Sequence, residues 1–412
     1  MPAETPSGVQ RIGSARLTAR LTIEKVTKVF SDHPEQALPL LAAGASKDRV
    51  HSELGAVVAL NGISLSVPAG AIYMIMGLSG SGKSTLARCV NRLIEPTAGR
   101  ILLDGEDITA ASPQRLRELR RTRMSMVFQH FALLPHRSVV ENVEFGLKLR
   151  GMQAPQRRKK AEEFLAIVGL EQWAGYRPSS LSGGMRQRVG LARALATDAD
   201  LMIMDEAFSA LDPLIRSEMQ DELLALQKLL HKTILFITHD FQEALKLGTR
   251  IAILSDGAVV REGTPQEIVL DPRSDYVAAF TRDVDRARLF DAASVMTPAE
   301  PIVIAADGAL SLPPRLTGGS AFVVDRNGRF LGAVAAADAA SLRGKDPATL
   351  GLAQAAVPAK AKLIEVARAL NGAGQLAVTD EDGRLVGCIS GAQVLARIGQ
   401  MPGNEVGHAQ RG

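Results

Sequence analysis

Two cysteines in 412 residues, Cys89 and Cys388, are too few and too far apart for a disulfide framework or a zinc cluster. No stretch approaches the ~18–20 apolar residues that cross a bilayer. The start, Met1-Pro-Ala-Glu-Thr-Pro, lacks the basic and then apolar pattern of a signal peptide. These absences lead to the expectation of a cytoplasmic chain that meets any membrane through a partner. The formal charge is only +4 and no long basic block occurs, so charge does not suggest nucleic acid. What is present is a chain 46% hydrophobic, too long for one ordinary core, so two domains are expected.

Residues 21–30 alternate like a half-buried strand, and about 34–55 reads as helical, with Leu38, Leu40, Leu41, Val50 and Leu54 as its apolar positions. Val57 to Val67 returns to strand character and leads into the apolar run Ala71-Ile-Tyr-Met-Ile-Met. Such a run, followed by glycines and a helix, begins a parallel α/β sheet. Charged, helix-forming segments dominate from about 112 to 197, and strand-like runs reappear at Leu201–Met204 and Thr233–Thr238. After Arg282 alanine and glycine rise and charge thins out. Val324-Asp-Arg-Asn-Gly-Arg-Phe-Leu-Gly and Thr379-Asp-Glu-Asp-Gly-Arg-Leu-Val-Gly then repeat at an offset of 55 residues. Asn-Gly or Asp-Gly between apolar runs predicts a hairpin turn in each copy.

The strongest chemical signal is Gly77-Leu78-Ser79-Gly80-Ser81-Gly82-Lys83-Ser84, a phosphate loop. Its glycines let successive N–H groups point at phosphate oxygens, and the following helix adds its positive end. Lys83 would neutralise β and γ charge, and the Ser84 hydroxyl would ligate Mg²⁺. The apolar strand ending in Asp205-Glu206 puts one carboxylate near the metal and leaves the other to polarise a water. Alone, such a pair is usually a solvated turn. Leu181-Ser182-Gly183-Gly184-Met185-Arg186-Gln187-Arg188 is a second glycine turn opening a helix, for which a capped flexible loop is the alternative.

In that segment the sequence resembles the ATP-binding cassette (ABC) family, whose signature is Leu-Ser-Gly-Gly-x-x-Gln followed by a basic residue. The resemblance implies further roles. Gln129 matches the glutamine that senses Mg²⁺ and touches a membrane subunit, and Ser209-Ala-Leu-Asp212 matches the D-loop. His239 matches the switch histidine on the γ-phosphate, and Phe30 the adenine-stacking aromatic, with a core phenylalanine as the alternative. It also implies a head-to-tail homodimer in which each ATP lies between Gly77–Thr85 of one copy and Ser182–Gln187 of the other. The implied fold is α/β: a P-loop nucleotide-binding domain with a RecA-like core over 1–282, including an inserted helical stretch at about 31–56 and a helical subdomain at about 130–190.

Two departures from a minimal cassette narrow the resemblance. Ser31 to Ala56 separate the aromatic from the strand before the phosphate loop, and the C-terminal repeat resembles a tandem cystathionine β-synthase (CBS) pair entered at Val295-Met-Thr-Pro298. Together they look like the ATPase subunit of glycine betaine/proline betaine importers. A linker at 283–294, a degenerate α+β CBS module at 295–400 and a tail at 401–412 complete the layout. Pro313-Pro314 stands where the first unit's helix is expected, so that helix is short or missing. The ribose-binding pattern of CBS units is broken in both copies: Ala335 replaces the hydroxyl ahead of Asp338, and Gln393 replaces the acid after Ser390. A dimerising or conformational brake is therefore expected over a nucleotide site. Salt gating is a theme of this group, but acidic and basic residues nearly balance after Arg288. The kinship implies permease subunits at the cytoplasmic face of the membrane, a substrate-binding protein served indirectly, and no nucleic acid. An importer for choline, carnitine or an amino acid is the nearest alternative, and a non-transport ABC ATPase a more distant one.

Overall fold

Every residue of Ile72–Met76 (β3), Leu201–Asp205 (β7) and Thr233–Thr238 (β8) is buried, the pattern of strands covered on both faces. In the computed structural model these three lie side by side within one sheet. The structure describes residues 19–128, 132–209, 211–304, 310–312, 320–342, 352–371 and 374–399. The chain divides into two compact units, 1–265 and 266–412. Residues 266–282 belong to the second unit, whereas composition alone assigns them to the first.

In the first unit, β1 (Ala19–Phe30), β2 (Val57–Pro68), β4 (Ala98–Leu103) and β5 (Glu106–Asp107) form an antiparallel sheet ordered β2-β1-β4-β5. The second sheet runs β10-β9-β3-β8-β7-β6, with β6 (Met124–Val127), β9 (Arg250–Ser255) and β10 (Ala258–Gly263) completing it. It is parallel except for the β9–β10 hairpin. One core joins inward side chains of both sheets, among them Leu21, Ile23, Leu65, Tyr73, Ile75 and Ile203, with Leu86, Cys89 and Val90 of helix α3 (Lys83–Val90).

The 31–56 stretch is helical, as read. It forms α1 (Ala37–Ala42) and α2 (Lys47–Leu54), joined through a turn and capped by Ser46. Ala37 and Val50 pack on Val29 and Val58 at the ends of β1 and β2. Leu54, one of the apolar positions of the stretch, is exposed. Helix α4 (Pro113–Thr122) precedes β6. Helices α5 (Val139–Leu149), α6 (Ala154–Ile167) and α7 (Gly183–Ala196) share a separate core around Val143, Leu147, Leu165 and Val189. A capping box of Ser138 and Glu141 starts α5. Helices α8 (Pro213–Leu230) and α9 (Phe241–Leu247) follow β7 and β8.

The second unit repeats a small motif. A parallel pair, β11 (Ile302–Ile304) and β13 (Ser320–Asp325), continues into a hairpin with β14 (Phe330–Ala335), and β12 (Leu310–Ser311) edges that sheet. The second copy runs β15 (Ala356–Pro358), β16 (Gln375–Thr379) and β17 (Leu385–Ser390). Both hairpins turn where expected, at Gly328 with φ 78° and Gly383 with φ 76°. Asp325 and Asp380 tie their turns identically, each accepting from the N–H groups two and four residues on. The turns also bond each other reciprocally, Phe330 N–H to Gly383 O and Leu385 N–H to Gly328 O, both at 2.9 Å. The second copy carries two amphipathic helices, Leu363–Leu370 and Gly391–Gly399. Pro313-Pro314 and the 401–412 tail lie outside the described residues.

Candidate functional site

After β3 the chain turns on Gly77, Gly80 and Gly82, whose φ values are 149°, 81° and 100°. Space as well as torsion demands glycine at two of them. A β-carbon at Gly77 would stand 2.2 Å from Leu254 O, and one at Gly82 would stand 2.6 Å from Ala59 O. Among the described residues no side chain caps the start of α3, which leaves its first-turn N–H groups suited to an anion. Lys83 is buried and donates across the loop to Leu78 O at 2.9 Å. Burial holds its ammonium below the ordinary lysine pKa, against the pull of Glu206 and Asp205.

Asp205 ends β7 in the next strand but one. Ser84 Oγ donates to its Oδ1 at 2.9 Å. Burial pushes the Asp205 carboxyl above the usual carboxylate range, and the Ser84 hydrogen bond only partly offsets this. A hydroxyl beside a desolvated carboxylate is a pair of hard oxygen donors that suits a small divalent cation such as Mg²⁺.

Glu206 has φ 48°, a backbone region that few non-glycine residues adopt. Its N–H donates to Ile237 O at 3.0 Å, and its carbonyl accepts from the Ser209 N–H and hydroxyl. These bonds aim the carboxylate at His239, which follows β8, with Oε1 3.5 Å from Nδ1. Phe30 is 43% exposed, with the Lys28 ammonium 4.9 Å from its ring centroid. It is therefore not a core residue. It edges a cleft of 660 Å³ lined also by Val57, Val58, Ala59, Leu78, Ser79, Gly80, Gly82, Lys83, Ser84, Thr85, Glu206 and His239.

The structure thus brings most of the expected residues together and separates others. Gly77 and the buried Ser81 shape the loop without lining the cleft. Ser182 caps α7 by accepting from Met185 N–H, and Gly183 faces open space. Gly184 is pressed on α8, where a β-carbon would stand 2.8 Å from Ile215 Cγ2. Asp212 is an exposed cap on α8, accepting from Ile215 N–H at 3.2 Å. Neither Asp212 nor 182–187 lines this chain's cleft. Gln187 is fully buried within this chain, and among the described residues neither its Nε2 nor its Oε1 has a hydrogen-bond partner. Gln129 lies outside the described residues.

Sequence reasoning missed the β9–β10 turn, Asp256-Gly257. Gly257 N–H donates to Ser81 O at 3.2 Å, so this turn is part of the loop's support. Its signal was present as Asp-Gly between apolar runs.

In the second unit the altered ribose pattern is occupied internally. Gln393 Oε1 accepts from the Ser390 N–H and hydroxyl, at 2.7 and 2.9 Å, and Gln393 Nε2 donates to Thr297 Oγ1. Among the described residues no helix is long and apolar enough to cross a membrane.

The family model described as ABC transporter matches residues 60–209, and the CBS domain model matches 354–399. The glycine betaine transport ATP-binding protein OpuAA of Bacillus subtilis is 45% identical over 391 residues, 93% of each chain. The glycine betaine/proline betaine transport system ATP-binding protein ProV of Escherichia coli is 44% identical, covering 93% of this chain and 98% of its own. The trimethylamine N-oxide transport system ATP-binding protein TmoW of Ruegeria pomeroyi is 51% identical over 68% of this chain and 81% of its own. Among solved structures, the dimeric ATP-binding cassette MJ0796 in a post-hydrolysis state bound to ADP and Pi superposes with a TM-score of 0.51. It is 32% identical, over 60% of this chain and 98% of that one.

Proposed function

The chain belongs to the ABC transporter ATPases, among their glycine betaine transport ATP-binding proteins, and from that membership we propose that it powers uptake of glycine betaine, proline betaine and related quaternary amines. The observation that carries this reading is the convergence of Lys83, Ser84, Asp205, Glu206 and His239 on a chain similar to betaine-transport subunits along nine-tenths of its length.

ATP lies with its base against the Phe30 ring and its phosphates over Gly77–Thr85, where backbone N–H groups and Lys83 offset the charge. Ser84 and Asp205 are the residues that would hold Mg²⁺, which supplies electrostatic stabilisation of the transferring phosphoryl group. Glu206 orients the attacking water and takes up its proton. His239 contacts the γ-phosphate, and the Glu206 carboxylate beside it orients the imidazole. Ser182, Gly183 and Gly184 of a second copy close over the γ-phosphate, so the working unit is a head-to-tail pair. Gln187 supports that surface from inside α7.

Hydrolysis drives a pair of permease subunits at the cytoplasmic face of the membrane, which receive cargo from a substrate-binding protein. The C-terminal module acts as a conformational brake. The inward-turned Ser390–Gln393 pair favours that role over nucleotide binding there.

A second cargo has support from the trimethylamine N-oxide relative, whose similarity covers the cassette. Reconstitution with the permease and binding protein, followed by ATP-dependent uptake of glycine betaine, trimethylamine N-oxide and choline in competition, separates the two. Preference for glycine betaine supports the first reading. Uptake of trimethylamine N-oxide alone reassigns the cargo, and uptake of none refutes quaternary amine transport.

A further inference from the structure

The turn between β9 and β10 is built into the phosphate site. Asp256 and Gly257 have φ values of 47° and 67°, and Ser255 pairs with Ala258 across them. This is the two-residue hairpin turn that matches strand twist. Space restricts Gly257 further, because a β-carbon there would stand 2.5 Å from Ala59 O. The same carbonyl excludes a β-carbon at Gly82. Turn and loop therefore meet over one point of β2. Asn61 N–H donates to Gly257 O at 2.8 Å, and Gly257 N–H donates to Ser81 O at 3.2 Å.

That last bond orients a phosphate donor. A trans peptide holds its C=O opposite the following N–H. With the Ser81 carbonyl drawn to Gly257, the Gly82 N–H faces the other way, into the loop. The inserted hairpin α1–α2 also reaches this turn. Lys47, the first residue of α2, places its ammonium 3.0 Å from where a β-carbon of residue 257 would sit. Burial draws its pKa down and the Asp256 carboxylate opposes this.

We propose that Gly257 is a positioning residue for the ATP phosphates and that the 31–56 insertion, through Lys47, holds it in place and so sets nucleotide affinity. This rests on the phosphate loop being the ATP site. Lys47 touches no substrate; it acts through the turn.

The test uses the full chain, measuring equilibrium binding of MgATP together with steady-state hydrolysis. Lys47→Met keeps the aliphatic stem and removes the charge. It is expected to raise Kd and KM about fivefold, the lower end of coupling between linked sites, with kcat within about twofold. Lys47→Arg restores most of the loss. Gly257→Ala loses more affinity than Lys47→Met, and Arg49→Ala, on the exposed side of α2, matches wild type. If Lys47→Met fails to fold, Asp256→Asn, which removes the attracting charge, is expected to raise KM in the same direction. Wild-type Kd and KM in Lys47→Met, or an equal loss in Arg49→Ala, overturns the proposal. A wild-type chain that binds no MgATP overturns the ATP site itself, and so the two failures are distinguishable.

Discussion

Replacing Glu206 by glutamine separates proton transfer from binding, because almost everything else about the residue survives the change. Glutamine fits the same volume, and the main-chain bonds to Ile237 and Ser209 do not involve the side chain. Glu206 already occupies φ 48°, and glutamine meets the same backbone strain, so the substitution adds no new cost there. What is lost is a proton acceptor 3.5 Å from His239 at the mouth of the phosphate loop. A positioned general base contributes about 10²–10⁴-fold, which is roughly 3–5 kcal/mol in the barrier. The expected result is a fall in kcat of that size with Kd for MgATP within about twofold of wild type, the difference that marks loss of a transition-state interaction. The assay is phosphate release at saturating ATP beside equilibrium titration, and sedimentation of the ATP-loaded variant reports accumulation of a paired species. A loss of kcat below about tenfold would refute the role assigned to Glu206. A matching loss of affinity would place the carboxylate in binding and leave the base to be found elsewhere.

Asp205→Asn is expected to cost at least about 100-fold in Mg²⁺-dependent hydrolysis, since a metal's charge stabilisation amounts to several kcal/mol. The same change should stabilise the ligand-free chain at pH 7. A carboxyl whose folded pKa is raised contributes stability that is fully present below its unfolded value, near ~3.9, and is lost as pH rises through the folded value. Melting temperatures of variant and wild type without nucleotide should therefore diverge at pH 7 and converge below about pH 4; equal values at both refute the burial argument. Phe30→Ala should raise KM for ATP about tenfold, from ~1–3 kcal/mol per stacked base, while Phe30→Trp stays near wild type. An unchanged KM in the alanine variant returns Phe30 to a packing role. In the second unit, Gly387→Val should lower stability by about 1–3 kcal/mol through overpacking, since a β-carbon there would stand 2.8 Å from Thr297 O and 3.0 Å from the Met296 sulfur. Denaturant titration checks it, and an unshifted midpoint refutes the close approach.

Much of the cassette was legible because its signals are local. Gly77 to Ser84 is one uninterrupted stretch running from an apolar strand into a helix, and the carboxylates of Asp205 and Glu206 end another such strand. The hairpins at Gly328 and Gly383 were legible for the same reason, since positive φ and Asn-Gly or Asp-Gly go together. The burial of Gln187 was not legible, because a motif gives residue types but not the side of the helix on which each falls. The exposure of Leu54 was not legible, because apolar spacing does not say which positions the sheet ends reach. The support given to Ser81 by Gly257 has no local signature at all: the two are joined only because β3 pairs with β9.

The order β9-β3-β8-β7 places the phosphate loop, His239 and Glu206 at the ends of consecutive strands in the interior of one sheet. Neighbouring strands in the middle of a sheet slide only by breaking a ladder of hydrogen bonds. The loop, the histidine and the carboxylate accordingly keep fixed stations and cannot serve as their own clock. On the proposed reading, timing would be imposed by the second copy at the cleft's open side. On the proposed head-to-tail pairing, this chain's half of the site would supply aim, and the decision to fire would come from the partner copy.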